Sequence, residues 1–354
     1  MATVNPAQQT ADDIRRLQAR IGDLQSHVRL SDAQNEVNDL NNTVTGFPQR
    51  LSALRARGYV FEKVLESQSQ ALVASWGLLF PNLQAQISSQ SVLLINALRP
   101  IEMQMPQLTA LASNPGVASG LLNTLTSSVS MLEDKINAAA KVIDGMYDQF
   151  NSQASQFTHH LDEVDFMLTQ VAEAKFQLLS AEAGIAAVKA VWCKTGKEQK
   201  DDPQGILYLS DQRLIFEQKE EIVTKKVLFV ATEKQKVQQL LLECPVALVE
   251  NVDAEKRGLM KNEDHIELRF SSAAPVESAH FHIWQEGSGW QALINRVKSK
   301  AFDGDRIIPI DQATVDKIKA APAQCPSCGG NINQTILRGQ DKITCEYCGF
   351  VIRL

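Results

Sequence analysis

The chain of 354 residues has 44% hydrophobic and 21% charged residues, a composition typical of soluble globular proteins. Its length predicts two or three domains. A net charge of −6 argues against a protein that binds nucleic acid along its whole length. An uninterrupted apolar run of about 18 residues is missing, so we expect no membrane span, and the first residues lack the apolar stretch of a signal peptide.

The first half of the sequence has apolar residues at alternating steps of three and four, the pattern of an amphipathic helix. One stripe runs from Ile14 to Val28, and after a phase slip near Leu30 it resumes at Ala33. A longer stripe runs from Leu125 to Val171. Because such a stripe must be buried against other helices, residues 1–187 are predicted to form an antiparallel helical coiled-coil bundle. The pattern leaves open whether the helices pack within one chain or between chains.

Proline and glycine predict where these helices end. Gly46-Phe47-Pro48 is expected to end the first helix, and Pro81, Pro100 and Pro106 are expected to interrupt or kink the second. The residues SNPG at 113–116 predict a turn. Because no proline occurs from about residue 117 to about 189, a single helix is predicted over that range.

At about residue 188 the pattern changes to short, alternating runs rich in β-branched and aromatic residues, which predicts strands. VKAVWCK is the first of these runs, and GILYLSDQRLIFEQ predicts a hairpin around its SDQ turn. The runs KKVLFVAT, PVALVENV, HIELRF and AHFHIW continue in the same style, and GWQALINRV then returns to helical spacing. An inserted EKQKVQQLLLECP is interpreted as a short extra helix.

The segment QGILYLSDQRLIF resembles the opening hairpin of GRAM domains, and the later runs and closing helix follow that family's order over residues 188–300. The resemblance implies the pleckstrin-homology (PH) fold, a bent β-barrel plugged by a C-terminal helix. In that fold the region of the first strands often meets lipid headgroups. Basic residues in this region would attract anionic headgroups. The candidate lipid-binding residues are Lys194, Lys197, Lys200, Arg213, Lys225 and Lys226. Interleaved acidic residues favour the alternative, a protein-docking surface or a plain scaffold.

A linker at 301–322, with one short helix predicted from Gln312 to Lys319, leads to a terminal region at 323–354 that contains two Cys-x-x-Cys pairs. Cys325 and Cys328 form the first pair, Cys345 and Cys348 form the second, and glycine follows each pair. Two such turns aim four thiolates at one point, a tetrahedral sulfur site that suits zinc. The pattern closely resembles the zinc-ribbon family and predicts one Zn²⁺ ion.

Because all four predicted ligands come from the protein, the zinc is expected to be structural, whereas a catalytic zinc keeps an open position. Residues 325–354 contain only three basic residues, Arg338, Lys342 and Arg353, against Asp341 and Glu346. This low density of positive charge argues against nucleic acid as the ribbon's partner and favours protein contact or simple capping. Phe350, Ile352 and Leu354 are candidates either for that contact or for the small core of the ribbon.

The remaining candidates have weaker signals. His280 and His282 flank Phe281 and so share one face of a strand. They are interpreted as exposed histidines, with a metal pair as the alternative. Cys193 and Cys244 are interpreted as buried small residues. No nucleotide-binding, nucleophile-elbow or zinc-protease motif is found in the sequence.

The sequence therefore predicts a multidomain α + β protein: a helical bundle, a PH-like barrel with a C-terminal helix, and a small zinc ribbon. We expect a non-enzymatic adaptor or scaffold with protein partners. It is expected in the cytoplasm, because its cysteine usage is that of a reducing compartment. Binding of anionic lipid at the candidate lipid-binding residues would place it peripherally on a membrane. The alternatives are a structural protein that forms homo-oligomers through its helices, a nucleic-acid-associated factor that uses the ribbon, and, with least support, a membrane-active helical protein.

Overall fold

A computed structural model describes residues 6–227 and 230–354, with the backbone alone over 222–227 and 230–234. Four long helices occupy the first half of the protein. The helices are α1 (Pro6–His27), α2 (Ser31–Ala56), α3 (Leu65–Ala110) and α4 (Pro115–Glu173). Among the described residues, none of the helices combines the length and apolarity needed to cross a membrane. The described chain divides into two compact units, one of residues 6–49 and 67–158 and one of residues 50–66 and 159–354.

The first unit is a bundle in which α3 runs opposite to the other three helices. Arg20 of α1 pairs with Glu133 of α4 (Nη2–Oε2 2.6 Å), and further along α2 Glu36 accepts a hydrogen bond from Tyr147 of α4 at 2.9 Å. These helices therefore run parallel. Asn41 of α2 accepts a hydrogen bond from the indole of Trp76 of α3 at 3.0 Å, and Gln25 of α1 donates to Glu102, further along α3, at 2.7 Å. Helix α3 is therefore antiparallel to α1 and α2. The apolar stripes are buried at this seam, so the helices pack within one chain.

The helix break occurs at Leu30, whose φ of +52° separates α1 from α2 at the phase slip seen in the sequence. The helix end predicted at Pro48 and the interruptions predicted in the second region are wrong, because α2 continues through Pro48 and α3 continues through Pro81, Pro100 and Pro106. An internal proline costs a helix about 3 kcal/mol. Burial offsets that cost here, since Phe47 beside Pro48 is fully buried and packs edge-on against Phe157 with ring centroids 4.8 Å apart. The SNPG turn is confirmed, with Pro115 at the first position of α4.

The second unit contains a seven-stranded antiparallel sheet with the order β4-β3-β2-β1-β7-β6-β5. Its strands are β1 (Gly184–Trp192), β2 (Gln204–Ser210), β3 (Arg213–Val227), β4 (Val230–Pro245), β5 (Val249–Arg257), β6 (Glu263–Phe270) and β7 (Ser278–Ile283). The predicted barrel is corrected, because β4 and β5 are the two edges and do not pair, which leaves the sheet open. EKQKVQQLLLECP lies in β4 and is not a helix; its register with β3 is fixed by a long hairpin.

The predicted hairpin and closing helix are confirmed. β2 and β3 are joined at Asp211-Gln212, and helix α5 (Gly287–Lys298) follows β7 and packs on β5 and β6. The core face of the sheet carries Phe216 and Phe281, with ring centroids 5.2 Å apart, and α5 buries Trp290 and Ile294. Gly205 is required at the start of β2, because a Cβ atom there would lie 1.9 Å from the carbonyl oxygen of Glu217.

Helix α4 ends at Glu173, about 16 residues earlier than its lack of proline predicts. Carboxylates of the sheet unit accept hydrogen bonds from the backbone N–H groups that follow it. Glu217 accepts from Lys175 at 2.7 Å, and Asp211 accepts from Ala183 at 3.0 Å. Phe176 packs against Tyr208 with ring centroids 4.9 Å apart. These tertiary contacts outweigh a sequence whose local preference is helical.

A histidine of α4 gives the second unit a pH-dependent contact. His160 Nε2 lies 2.5 Å from Glu62 Oε2, and Glu163 is 4.0 Å from its other ring nitrogen. The hydrogen bond to Glu62 raises the pKa of His160 above its ordinary 6.5, although burial acts in the opposite sense. A raised histidine pKa stabilises the fold most below pH 6.5, and the stabilisation is lost as pH rises through the folded-state value.

We therefore expect the His160→Gln variant to lose up to about 1 kcal/mol of unfolding free energy at pH 6, because solvent screens a partly exposed pair, and less at pH 9. Urea unfolding at both pH values checks this difference. The His159→Gln variant is the control, because His159 is an exposed neighbour 3.4 Å from Glu163. Equal losses at the two pH values would show that the His160 contribution is packing and not charge.

Candidate metal centre

The four cysteines of the terminal region converge on one point. Cys325 Sγ lies 3.7 Å from Cys348 Sγ, Cys328 Sγ lies 3.7 Å from Cys345 Sγ, and all four sulfurs lie within 4.8 Å of one another. A tetrahedral zinc ion with Zn–S bonds of about 2.3 Å requires sulfurs roughly 3.8 Å apart. Disulfides would bring them to about 2.05 Å. The spacing therefore fits a tetrahedral sulfur site for a metal ion.

The two Cys-x-x-Cys turns have the same backbone geometry. Gly329 and Gly349 follow the second cysteine of each pair, and both have φ of +72°, a conformation that favours glycine. In each turn the glycine N–H donates to the carbonyl of the first cysteine, at 2.8 and 2.9 Å. This repetition explains why the sequence places a glycine at the same point after both pairs.

Backbone N–H groups prepare the sulfur of Cys325 for a metal, whereas at Cys328 the N–H of Gly330 lowers the thiol pKa less than the neighbouring thiols raise it. Burial raises the pKa of the Cys325 thiol, but hydrogen bonds from the N–H groups of Cys328 and Ser327 outweigh burial and lower it to about 7. The thiolate is the form that binds metal. The described donor set is complete with four sulfurs, so the ion would be held by protein alone, and the chemistry it supplies is structural cross-linking.

A short hairpin carries the second turn. Strands β8 (Lys342–Thr344) and β9 (Val351–Arg353) pair antiparallel. Ile343 and Ile352 form a small core with the buried cysteines, and Leu354 packs against it, whereas Phe350 is exposed. Two of the three residues proposed as a contact surface thus belong to the core. This core is too small to fold without a cross-link.

The terminal region docks on the β2–β3 turn through one arginine. Arg338 donates to Asp211 Oδ2 at 2.7 Å and to Asp303 Oδ1 at 2.8 Å, and its backbone exchanges hydrogen bonds with the side chain of Gln212. Asp211 is buried and also accepts from Arg306 at 2.5 Å. Arg338, one of three basic residues near the site, is therefore engaged internally. Lys342 and Arg353 remain, opposite each other on β8 and β9.

The structure separates the candidate lipid-binding residues. Lys194, Lys197 and Lys200 are exposed on the loop between β1 and β2. Arg213 lies at the other end of β3, buried in a pair with Glu182, so it presents no charge to a surface. The side chains of Lys225 and Lys226 lie outside the described residues. Their backbone belongs to the far end of the β3–β4 hairpin, the end of the sheet that also carries the β1–β2 loop.

Two of the three acidic residues of the β1–β2 loop have described partners within the protein. Asp202 is buried and accepts hydrogen bonds from the backbone N–H groups of Gln199 and Lys194, at 2.7 and 3.3 Å. Glu198 Oε2 lies 2.5 Å from His282 Nδ1. Asp201 alone of the loop's acids is exposed without such a contact described. Burial therefore removes only Asp202 from the surface of the loop, and Glu198 stays exposed beside the lysines.

The histidines also differ from the prediction. His280 is buried, not exposed, and its Nε2 lies 3.0 Å from Nδ1 of His265, a residue that the sequence analysis did not single out. The strands HIELRF and AHFHIW pair, and their register brings His265 beside His280. This register is the signal from which His265 could have been identified. Cys193 and Cys244 are buried as predicted, and burial raises the pKa of each to about 11.

Comparison with known proteins does not assign the chain to a family. No protein-family model matches it, and no curated protein matches it. Two similar solved structures are of the DH/PH domains of p115-RhoGEF. The R399E mutant form is 10% identical, covers 82% of this chain and 98% of that chain, and has a TM-score of 0.21. The second structure is 12% identical, covers 84% of this chain and 95% of that chain, and has a TM-score of 0.20. Likeness at these TM-scores is too slight to indicate a shared fold or function.

Proposed function

We propose that the protein is a non-enzymatic cytoplasmic adaptor or scaffold that binds anionic headgroups at a membrane surface through the β1–β2 loop. The helical bundle supplies reach and surface for protein partners. The sheet unit is the binding module, and a zinc ribbon closes the chain. Because the apolar stripes of the bundle are buried within one chain, this function does not require self-association.

The strand order supports a GRAM- or PH-like module. The sequence resemblance implies antiparallel strands closed by a C-terminal helix, and the structure has seven such strands followed by a helix packed on β5 and β6. Gly205, the glycine that opens the resembling segment, is explained by its close approach to β3. The open sheet departs from the implied barrel, so the likeness is one of topology.

The observation that carries the proposal is the arrangement of charge on the β1–β2 loop. Lys194, Lys197 and Lys200 are exposed against two exposed acids, Glu198 and Asp201, whereas the third acid of the loop, Asp202, is buried. The loop therefore presents more positive charge than its sequence indicates. Each lysine near an anionic membrane contributes about 1 kcal/mol of attraction.

Vesicle co-sedimentation of the full chain tests this function. We expect it to pellet with vesicles that contain phosphatidylserine, to stay in solution with neutral phosphatidylcholine vesicles, and to be released by added salt. The Lys197→Glu/Lys200→Glu variant should lose at least about 2 kcal/mol of binding, roughly 30-fold in affinity.

The matched control is Lys317→Glu/Lys319→Glu, which changes the net charge equally at two exposed lysines of helix α6 (Gln312–Lys319). It should bind as the unaltered protein does. Equal losses in both variants would mean attraction by net charge and not by the loop. If no form pellets under any condition, the lipid function is wrong, and the module is a protein-docking or structural one.

A further inference from the structure

A second cluster of metal-ligating side chains lies on the face of the sheet opposite its aromatic core. Cys193 follows β1, His280 lies on β7 and His265 lies on β6, three strands that are neighbours in the sheet. Cys193 N donates to His280 O at 2.8 Å, and His265 is paired in register with His282. Because side chains alternate between faces, this register places all of these residues on one face.

These three side chains are buried on a face of the sheet that also carries exposed residues. Cys193, His265 and His280 are 1%, 3% and 7% exposed. On the same face of β6, Arg269 is exposed. The β1–β2 loop lies against the cluster, held by Arg257 Nη1 donating to Gly196 O at 2.6 Å and by the contact of Glu198 with His282. Three polar or polarisable groups have thus been taken out of water together.

Hydrogen bonding alone leaves the cluster incomplete. One imidazole must donate across the 3.0 Å contact between His265 Nδ1 and His280 Nε2. In either tautomer His265 Nε2 is left as a buried atom without a hydrogen-bond partner. Buried polar groups are normally paired, so an orphan of this kind calls for an explanation.

A bound ion accounts for the close approach of the two imidazoles and the thiol. Cys193 Sγ and one nitrogen of each histidine lie within 4.8 Å of one another. Two nitrogens on one tetrahedral zinc ion, each at about 2.0–2.1 Å, would be roughly 3.3 Å apart, close to the 3.0 Å observed. With the ion on Nδ1, His265 Nε2 would carry a proton. Glu263 Oε2 lies 3.7 Å away and would have to move closer to accept it, as the outer partner of a metal-bound histidine does.

We propose that Cys193, His265 and His280 form a second metal site, which takes a borderline transition-metal ion such as Zn²⁺ and fixes the base of the β1–β2 loop to β6 and β7. One thiolate and two imidazoles are a donor set that zinc accepts with a water as fourth ligand. Arg257 adds positive charge nearby, but Glu255 pairs with it at 2.8 Å. The site does not depend on the proposed membrane function.

Metal content of the full chain tests the site. After loading with Zn²⁺ and removal of loosely held metal by gel filtration, we expect two zinc ions per chain. The Cys193→Ser and His280→Asn variants should each hold one. The Cys244→Ser variant is the matched control, because Cys244 is equally buried but lies outside the cluster, and it should hold two.

Cobalt substitution separates ligand loss from misfolding. Co²⁺ in the terminal cluster should give the absorption of a four-thiolate site in all forms, and its persistence in the Cys193→Ser variant shows that this variant is folded. A second component from mixed thiolate and imidazole ligation should be absent only in the cluster variants. One zinc ion per chain in the unaltered protein, or a second ion that survives in both cluster variants, would overturn the proposal.

Discussion

Removal of the terminal metal should unfold residues 323–354 and leave the seven-stranded sheet folded. We expect this result from chelation or from Cys345→Ala, because the region has only a small core of its own, formed by Ile343, Ile352 and the buried cysteines. For small structural zinc sites the free energy of metal binding, about 10–16 kcal/mol, is also the free energy of folding. Hydrogen exchange followed by mass spectrometry should show lost protection of the β8 and β9 amides and retained protection of β1 and β2.

The Ser327→Ala variant is the control for this experiment, because Ser327 lies inside the first Cys-x-x-Cys turn but supplies no sulfur. It should keep both its metal and its protection. If β8 and β9 amides stay protected after metal loss has been verified by elemental analysis, the region folds without a metal and the cysteines have another role.

Loss of Arg213 should destabilise the protein more than loss of any exposed arginine. The guanidinium is 4% exposed, and Glu182 opposite it is fully buried. Its Nε donates to Glu182 Oε1 at 2.8 Å and its Nη2 to Gln177 O at 2.8 Å, while Nη1 pairs with Glu243. Removing one member of a buried ion pair leaves an uncompensated charge, at a cost of about 3–5 kcal/mol.

Arg213→Met should therefore lower the unfolding free energy by that amount in urea titrations. Arg269→Met, at an exposed position of β6, should change it by about 0.5 kcal/mol or less. Neutralising the partner as well, in Arg213→Met/Glu182→Gln, should recover part of the loss, since the two residues interact directly. If the single and double variants are equally destabilised, the effect comes from lost packing and not from the unpaired carboxylate.

The local pattern of the sequence predicted the features that depend on local chemistry. Residues such as Leu17 and Leu132 occur at helical spacing because they face the bundle seam, and both are buried. The hairpin at Asp211-Gln212 and helix α6 were found for the same reason, because turn residues and periodicity specify them. The four sulfurs were found because Cys-x-x-Cys spacing is itself the geometry of a metal turn.

The failures depend on contacts between distant residues. Pro48 is tolerated in α2 because Phe47 packs against Phe157, more than a hundred residues away. Helix α4 ends early because Glu217 of β3 accepts the N–H of Lys175. The cluster around His265 depends on the register of three strands, which no single run of residues specifies. Neither periodicity nor propensity contains information of this kind.

The docking of Arg338 on Asp211 bears on how the protein can be shortened. A terminal zinc module is often treated as a unit that can be cut away without effect on the rest of a protein. In this protein, deletion of residues 323–354 would remove Arg338, one of the two arginine partners of Asp211. The deletion would also leave the side chain of Gln212 without its hydrogen bonds to the Arg338 backbone. Truncation would thus alter the β2–β3 turn itself. Metal binding by the last thirty residues should accordingly influence the stability of a sheet that contains none of the four cysteines of that site.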